Sequence, residues 1–216
     1  MNLDEDGLLE AIDAALATQA PLIKAKGLEY RERSRDWIIH VKELHFRLTE
    51  AGSAWQPTED LDGLERRVDE TVAQAAKATI AAAPTDAAAH LKAAWSATYG
   101  FNPDPEKAYS QAIKAAEAVV IPATIPKDGR PTLGLALSHL ENTAGKWTTV
   151  LHDKSGNPAP AQPIIGLIKL LWEGQRDRHA GGPTSQKTTQ EAAEAAVHAA
   201  VLIVQWFNSK AIVKNP

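Results

Sequence analysis

The chain contains no cysteine. That single absence removes a disulfide framework, a thiolate nucleophile and any cysteine-based zinc site, and it is consistent with a reducing compartment. No apolar run reaches the roughly 20 residues needed to cross a bilayer. The acidic start Met1-Asn2-Leu3-Asp4-Glu5-Asp6-Gly7 lacks the basic head and apolar core of a signal peptide. The expectation is a soluble, cytoplasmic protein with no membrane partner. Glycine-rich phosphate loops of the Walker or dinucleotide type are missing, as is a serine nucleophile elbow, so no cofactor is expected. His40 and His45 are one residue off an i,i+4 pair and no third ligand lies nearby in sequence, so no metal is expected either. Basic excess is also lacking. With 23 Lys and Arg against 27 Asp and Glu, the net charge of −4 argues against a generally basic nucleic-acid coat protein. A local cationic site stays open.

What the chain has in quantity is helix-forming sequence. Its 216 residues are enough to bury a core without metal or disulfide support. Alanine-rich stretches such as 71–83 combine high helix propensity with small side chains that let helices pack closely. Strand-like alternation bounded by tight turns is scarce, so the expected fold is all-α, a helical bundle with an N-terminal helical extension.

A first helix is expected from Asp4 to Ala17, ended by Pro21, and a second from Leu28 to Ala51. A third would begin at Thr58, with Glu59, Asp60 and Asp62 near its positive end, and stop by Pro84. Thr85 or Asp86 can cap a fourth, running to Gly100. A fifth is stopped by Pro122 and Pro126. Thr132 can cap a short helix, 152–160 reads as a loop, and Pro163 suits the first turn of the next helix. The last helix carries a capping box, Thr188-Thr189-Gln190-Glu191, and is apolar on nearly all sides from Ala195 to Phe207. Such a helix is central or shared with a second subunit. The chain thus divides into residues 1–83, a helical region, and 84–216.

The most informative stretch is Gly174-Gln175-Arg176-Asp177-Arg178-His179-Ala180-Gly181-Gly182, between two apolar helical segments. A phosphodiester can be cut without metal if one group moves the 2′-hydroxyl proton and a cation stabilises the developing charge. Histidine suits the first task because its ordinary pKa lies near neutrality. Arginine suits the second because its planar fork grips two phosphate oxygens. His179, Arg178 and Arg176 are therefore the candidate catalytic residues. In regular helix, adjacent residues point apart, whereas a frayed end, which Gly181 and Gly182 permit, lets them converge.

The segment from about His90 to Phe207 resembles the C-terminal domain of abortive-infection (Abi)-like proteins in the HEPN superfamily. The resemblance rests on Tyr109-Ser110-Gln111-Ala112-Ile113-Lys114-Ala115-Ala116-Glu117, Pro131-Thr132-Leu133-Gly134, the stretch Leu171 to His179, and Glu191 to His198 leading into Val204-Gln205-Trp206-Phe207. It implies a helical bundle that forms a homodimer, with paired Arg and His residues lining a shared cleft. The activity it implies is metal-independent RNA cleavage in phage defence or toxin-like growth control, with RNA as ligand and an antitoxin or other protein as a further partner. Other members are inactive binding modules, so a non-catalytic dimer that binds nucleic acid, nucleotide or protein is the alternative.

The superfamily's usual motif separates an arginine from a histidine by four to six residues. Counting back from His179, that window holds Trp172, Glu173 and Gly174 and no arginine. Arg35 and His40 meet the spacing, although they lie outside the resemblance, and they form a secondary candidate pair. Glu117 is the third secondary candidate. An acid inside an apolar helix is costly unless paired, so it either orients Arg176 or Arg178 or sits at the surface. His198 is expected as a core or interface histidine. Trp95, Trp172 and Trp206 are expected in the core.

Overall fold

The structure, a computed structural model, describes residues 5–25, 31–126, 129, 131–174 and 187–215, with the side chains of 22–25 and 31–35 outside that description. It is predominantly helical and adds two small antiparallel sheets that the all-α expectation omitted. Two compact units are present. One comprises residues Met1–Asp69 and Tyr99–Pro103, the other Glu70–Thr98 and Asp104–Pro216.

The smaller unit holds α1 (Glu5–Ala25), α2 (Arg31–Glu50) and a hairpin of β1 (Trp55–Pro57) with β2 (Leu64–Arg66). Helix α1 runs through Pro21 instead of ending before it. Proline removes one helical hydrogen bond, but Leu9, Leu16 and Ala20 form a buried stripe that continues to its doorstep. Packing here outweighs the local penalty. The third helix, expected from Thr58, starts only at Glu70, although it stops before Pro84 as expected. Residues 58–63 instead form the loop of the hairpin, in which Thr58 N donates to Gly63 O at 2.9 Å and Asp62 N to Thr58 Oγ1 at 3.1 Å. The acids that resembled helix-start charges are turn residues. What favours the hairpin is its apolar anchoring: Leu64 is buried, and Trp55 meets Phe101 edge to face at 5.0 Å. From α1, Asp13 Oδ1 accepts the Leu64 amide at 2.7 Å.

The larger unit contains α3 (Glu70–Ala82), most of α4 (Thr85–Tyr99), α5 (Pro105–Thr124), α6 (Leu133–Asn142), α7 (Gln162–Glu173) and α8 (Gln190–Asn208). Its core is continuous. Tyr109, Ala112, Ile113, Ala116 and Val120 of α5 meet Ala196, Val197, Ala200, Ile203 and Val204 of α8, with Leu133, Leu137, Ile165 and Ile168 packed around them. Alanines on the facing helices let the backbones approach closely, and the large side chains fill the space beside them. Helix α8 is thus buried along one side within its own unit. Helix α5 ends at Thr124, beyond Pro122, because Ile125 leaves helical geometry (φ −131°, ψ 54°), as a residue before proline does. Thr132 caps α6 as expected, its Oγ1 accepting Leu135 N at 3.2 Å.

Residues 147–160, read in part as a loop, supply β3 (Trp147–His152) and β4 (Pro158–Pro160). With β5 (Ile212–Lys214) they form a sheet ordered β4-β3-β5. Asp153 Oδ1 accepts the amides of Ser155 and Asn157 at 2.8 and 2.9 Å, and Gly156 takes the positive φ of 81° that closes the turn. Prolines at 158 and 160 leave that edge of the sheet without two amide donors, which blunts further strand pairing. Among the described residues, no helix is long and apolar enough to cross a membrane.

Candidate functional site

Helix α7 begins with Pro163 in its first turn, where the missing amide costs nothing, and buries Ile164, Ile165, Ile168 and Leu171. Its end is set by α5. Tyr109, buried among core residues, donates its hydroxyl to Leu171 O at 3.1 Å, one of the carbonyls a helix end leaves without an intrahelical partner. Gly174 follows, held by its amide on Leu170 O at 2.9 Å. A Cβ at 174 would fall 2.2 Å from Tyr109 Oη and 2.9 Å from Leu170 O, so the glycine is required by contact and not by dihedral, its φ being −71°.

Helix α8 starts across from that point. Its cap is Thr189, one residue later than the capping box predicts, with Oγ1 accepting Ala192 N at 3.2 Å. Glu191 completes the arrangement from the second helical position. Hydrogen bonds from its own amide and from the Thr189 hydroxyl hold its carboxyl below the usual carboxylate range. The first turn of α8 is therefore largely occupied by its own side chains.

Between the two helices runs an open cavity of about 530 Å³. Leu167, Leu170 and Leu171 form one wall, Ala192, Ala195, Ala196 and Ala199 the other, and Tyr109 lies at its base. Gly174, Lys187, Thr188 and Thr189 line it at the end where α7 stops and α8 begins. Leu170 is 70% exposed, an unusual setting for a leucine at the centre of an apolar helix. On the outer side of α7, Lys169 Nζ meets Glu141 at 3.0 Å and Glu173 at 3.9 Å. The hydrogen bond to Glu141 and the charges of both acids hold its ammonium pKa above the usual lysine value.

No family model, no curated protein and no solved structure matches the chain.

The residues singled out in the sequence are placed as follows. Arg176, Arg178 and His179 lie outside the described residues, between Gly174 and Lys187 in sequence. Position 35 lies in α2, five residues and so about 140° around the helix from position 40. His40 is exposed and donates from Nδ1 to Asp36 O one turn earlier, which leaves Nε2 as the unprotonated nitrogen of the neutral ring. Glu117 is half-buried on α5, and its Oε1 accepts the Leu133 amide at 3.1 Å, at the first turn of α6. A carboxylate there satisfies an otherwise orphaned donor and faces the positive end of the helix. His198 is exposed and stacks on Trp95 (centroids 6.4 Å apart, 23° between planes), so of the expected core and interface placements it does not take the core one. Trp95, Trp172 and Trp206 do pack against the core. No group of three or more metal-ligating side chains occurs among the described residues.

Sequence reasoning missed the cavity. Its signal was present in the alanines at 192, 195, 196 and 199, spaced to fall on one helix face. They read as helix propensity until α7 is set beside them.

Proposed function

We propose that the larger unit is an Abi-like, HEPN-type helical module that grips RNA phosphate at the connection between α7 and α8. In its active form it is a metal-independent endoribonuclease. His179 moves the 2′-hydroxyl proton, Arg178 and Arg176 hold the phosphate, and two copies contribute to one cleft. The observation that supports this reading is that Gly174 and Lys187 line the same cavity. The stretch carrying two arginines and a histidine is thus bracketed in sequence by two residues of one cavity, next to two helices anchored in the core.

A specific observation favours the non-catalytic alternative, a module binding nucleic acid, nucleotide or a protein partner. Among the described residues, Lys187 and Tyr109 are the ionisable ones lining the cavity, and the Tyr109 hydroxyl already bonds Leu171 O. The described part of the site therefore holds no histidine or carboxylate to move a proton near neutral pH.

One experiment separates the readings. Purified protein is incubated with total RNA with and without EDTA, and RNA binding is measured at low and high salt. Cleavage that survives EDTA and is lost in His179→Ala and Arg178→Ala supports the ribonuclease. Salt-sensitive binding without products, weakened by Arg178→Ala, supports the binding module. Full cleavage by His179→Ala would defeat the catalytic assignment.

A further inference from the structure

We propose that the α7/α8 cavity binds the carboxylate of a free medium-chain fatty acid at its Lys187 end and the aliphatic chain along its length. The inference stands apart from the RNA reading, since it uses none of the residues between Gly174 and Lys187. Three features carry it.

The first is size and lining. At about 530 Å³ the cavity falls in the range of small-molecule sites, which are mostly apolar with a few placed polar groups. Here eight of the twelve lining residues are Leu, Ala or Tyr in a continuous trough: Leu167, Leu170, Leu171, Tyr109, Ala192, Ala195, Ala196 and Ala199. Nothing in that trough can hydrogen-bond a base or a sugar except the Tyr109 hydroxyl, which is already engaged with Leu171 O. An aliphatic chain needs no partner there.

The second is asymmetry. The polar lining residues Lys187, Thr188 and Thr189 gather at one end, where α8 begins, and the wall is apolar from Ala192 to Ala199. From Gln190 to Ala199 the helix rises roughly 14 Å at 1.5 Å per residue, which suits an extended medium-length alkyl chain.

The third is charge. Among the described residues, Lys187 is the one charged side chain lining the cavity. The nearest acid on α8, Glu191, is drawn into the helix's own first turn by its amide and the Thr189 hydroxyl. The Leu171 carbonyl at the same end, which would repel an anion, carries the Tyr109 hydroxyl. A single anionic head therefore meets a cation with its local competitors engaged. The neighbouring Leu170, 70% exposed, gains cover from the bound chain.

The test is calorimetric titration of the full chain with dodecanoate below its micellar concentration, with dodecanol as the neutral-headed control. Saturable binding of one dodecanoate per chain, tighter than dodecanol, is expected. Lys187→Gln should weaken dodecanoate by about fivefold and leave dodecanol unchanged, as for a partly exposed ion pair. Ala199→Leu should fill the trough and weaken both ligands by at least about tenfold. Ala195→Leu, at an exposed position, serves the same purpose if Ala199→Leu unfolds the protein. Absence of saturable binding, or binding indifferent to both leucine substitutions, overturns the proposal. Because the RNA assay is read separately on the same protein, failure here leaves the ribonuclease reading intact, and the reverse.

Discussion

The hydroxyl of Tyr109 donates to the carbonyl of Leu171 across 62 positions of sequence, at 3.1 Å. It does so at the residue where α7 runs out of intrahelical donors, and directly over the bare Cα of Gly174. One side chain from α5 thereby fixes both where α7 ends and which residue can follow it. The candidate junction follows Gly174 in sequence.

Gly174→Ala should therefore destabilise the protein by about 1–3 kcal/mol, since the added methyl overpacks a site whose neighbours are a buried ring and a backbone carbonyl. Tyr109→Phe alone should cost about 1 kcal/mol for the lost hydrogen bond. Combined, the two should cost less than their sum, because removing Oη removes the nearest clash and leaves the ring carbon at 3.4 Å. Urea titrations of the four proteins check this. Additive losses would show that the clash is relieved elsewhere.

Glu117 and Thr132 both serve the start of α6, the first through Leu133 N and the second through Leu135 N. Glu117→Ala and Thr132→Ala should each lower stability by about 1 kcal/mol. Glu117→Gln, which keeps an acceptor and loses only the favourable charge, should cost about half as much. Thermal melts distinguish the three. A loss for Glu117→Gln equal to that of Glu117→Ala would place the importance of this residue in its charge.

The parts of this fold that the sequence makes legible are those decided within a few residues. Thr132 caps α6 and Pro163 opens α7, because each depends on its own turn. The misread parts depend on distant partners. Pro21 sits inside α1 since the burial of Leu16 and Ala20 outweighs its lost bond. Residues 58–63 turn because Trp55 and Leu64 find Phe101 and α1, and β3 is completed by Val213 from the far end of the chain. The β-branched run Thr148-Thr149-Val150 was a strand signal that the neighbouring turn formers obscured. The candidate site shows the same division. Its charged residues were visible as a cluster in sequence, whereas the alanine wall acquires meaning only opposite Leu167 and Leu170.

In the smaller unit, Asp13 Oδ1 holds the Leu64 amide at 2.7 Å, and Leu64 is almost fully buried. Asp13→Ala strands that donor and should cost about 1–3 kcal/mol, whereas Asp13→Asn keeps an oxygen acceptor and should cost less. Amide exchange at Leu64 reports the effect locally. Equal, fast exchange in both variants would mean that the carboxylate charge, not its acceptor geometry, secures the hairpin.

Two charged side chains on the helices that flank the cavity give opposite pH signatures. Glu191 has its carboxyl pKa lowered in the folded state by its own amide and the Thr189 hydroxyl. Its contribution to stability is then present above the ordinary carboxylate value of about 4.3 and disappears as pH falls through the lower folded value. Lys169 has its pKa raised by Glu141 and Glu173. Its contribution is complete below the ordinary lysine value of about 10.4 and disappears only as pH rises through the higher folded value. Melting temperatures of the wild type and Glu191→Gln should therefore differ at pH 7 and converge in acid. Those of the wild type and Lys169→Gln should differ across neutral pH and converge only in strong alkali. Both side chains are exposed to solvent, so the differences should be small and should shrink with added salt. A Glu191→Gln difference that stays constant from pH 7 down through the carboxylate range would show that its ionised form makes no special contact with the first turn of α8.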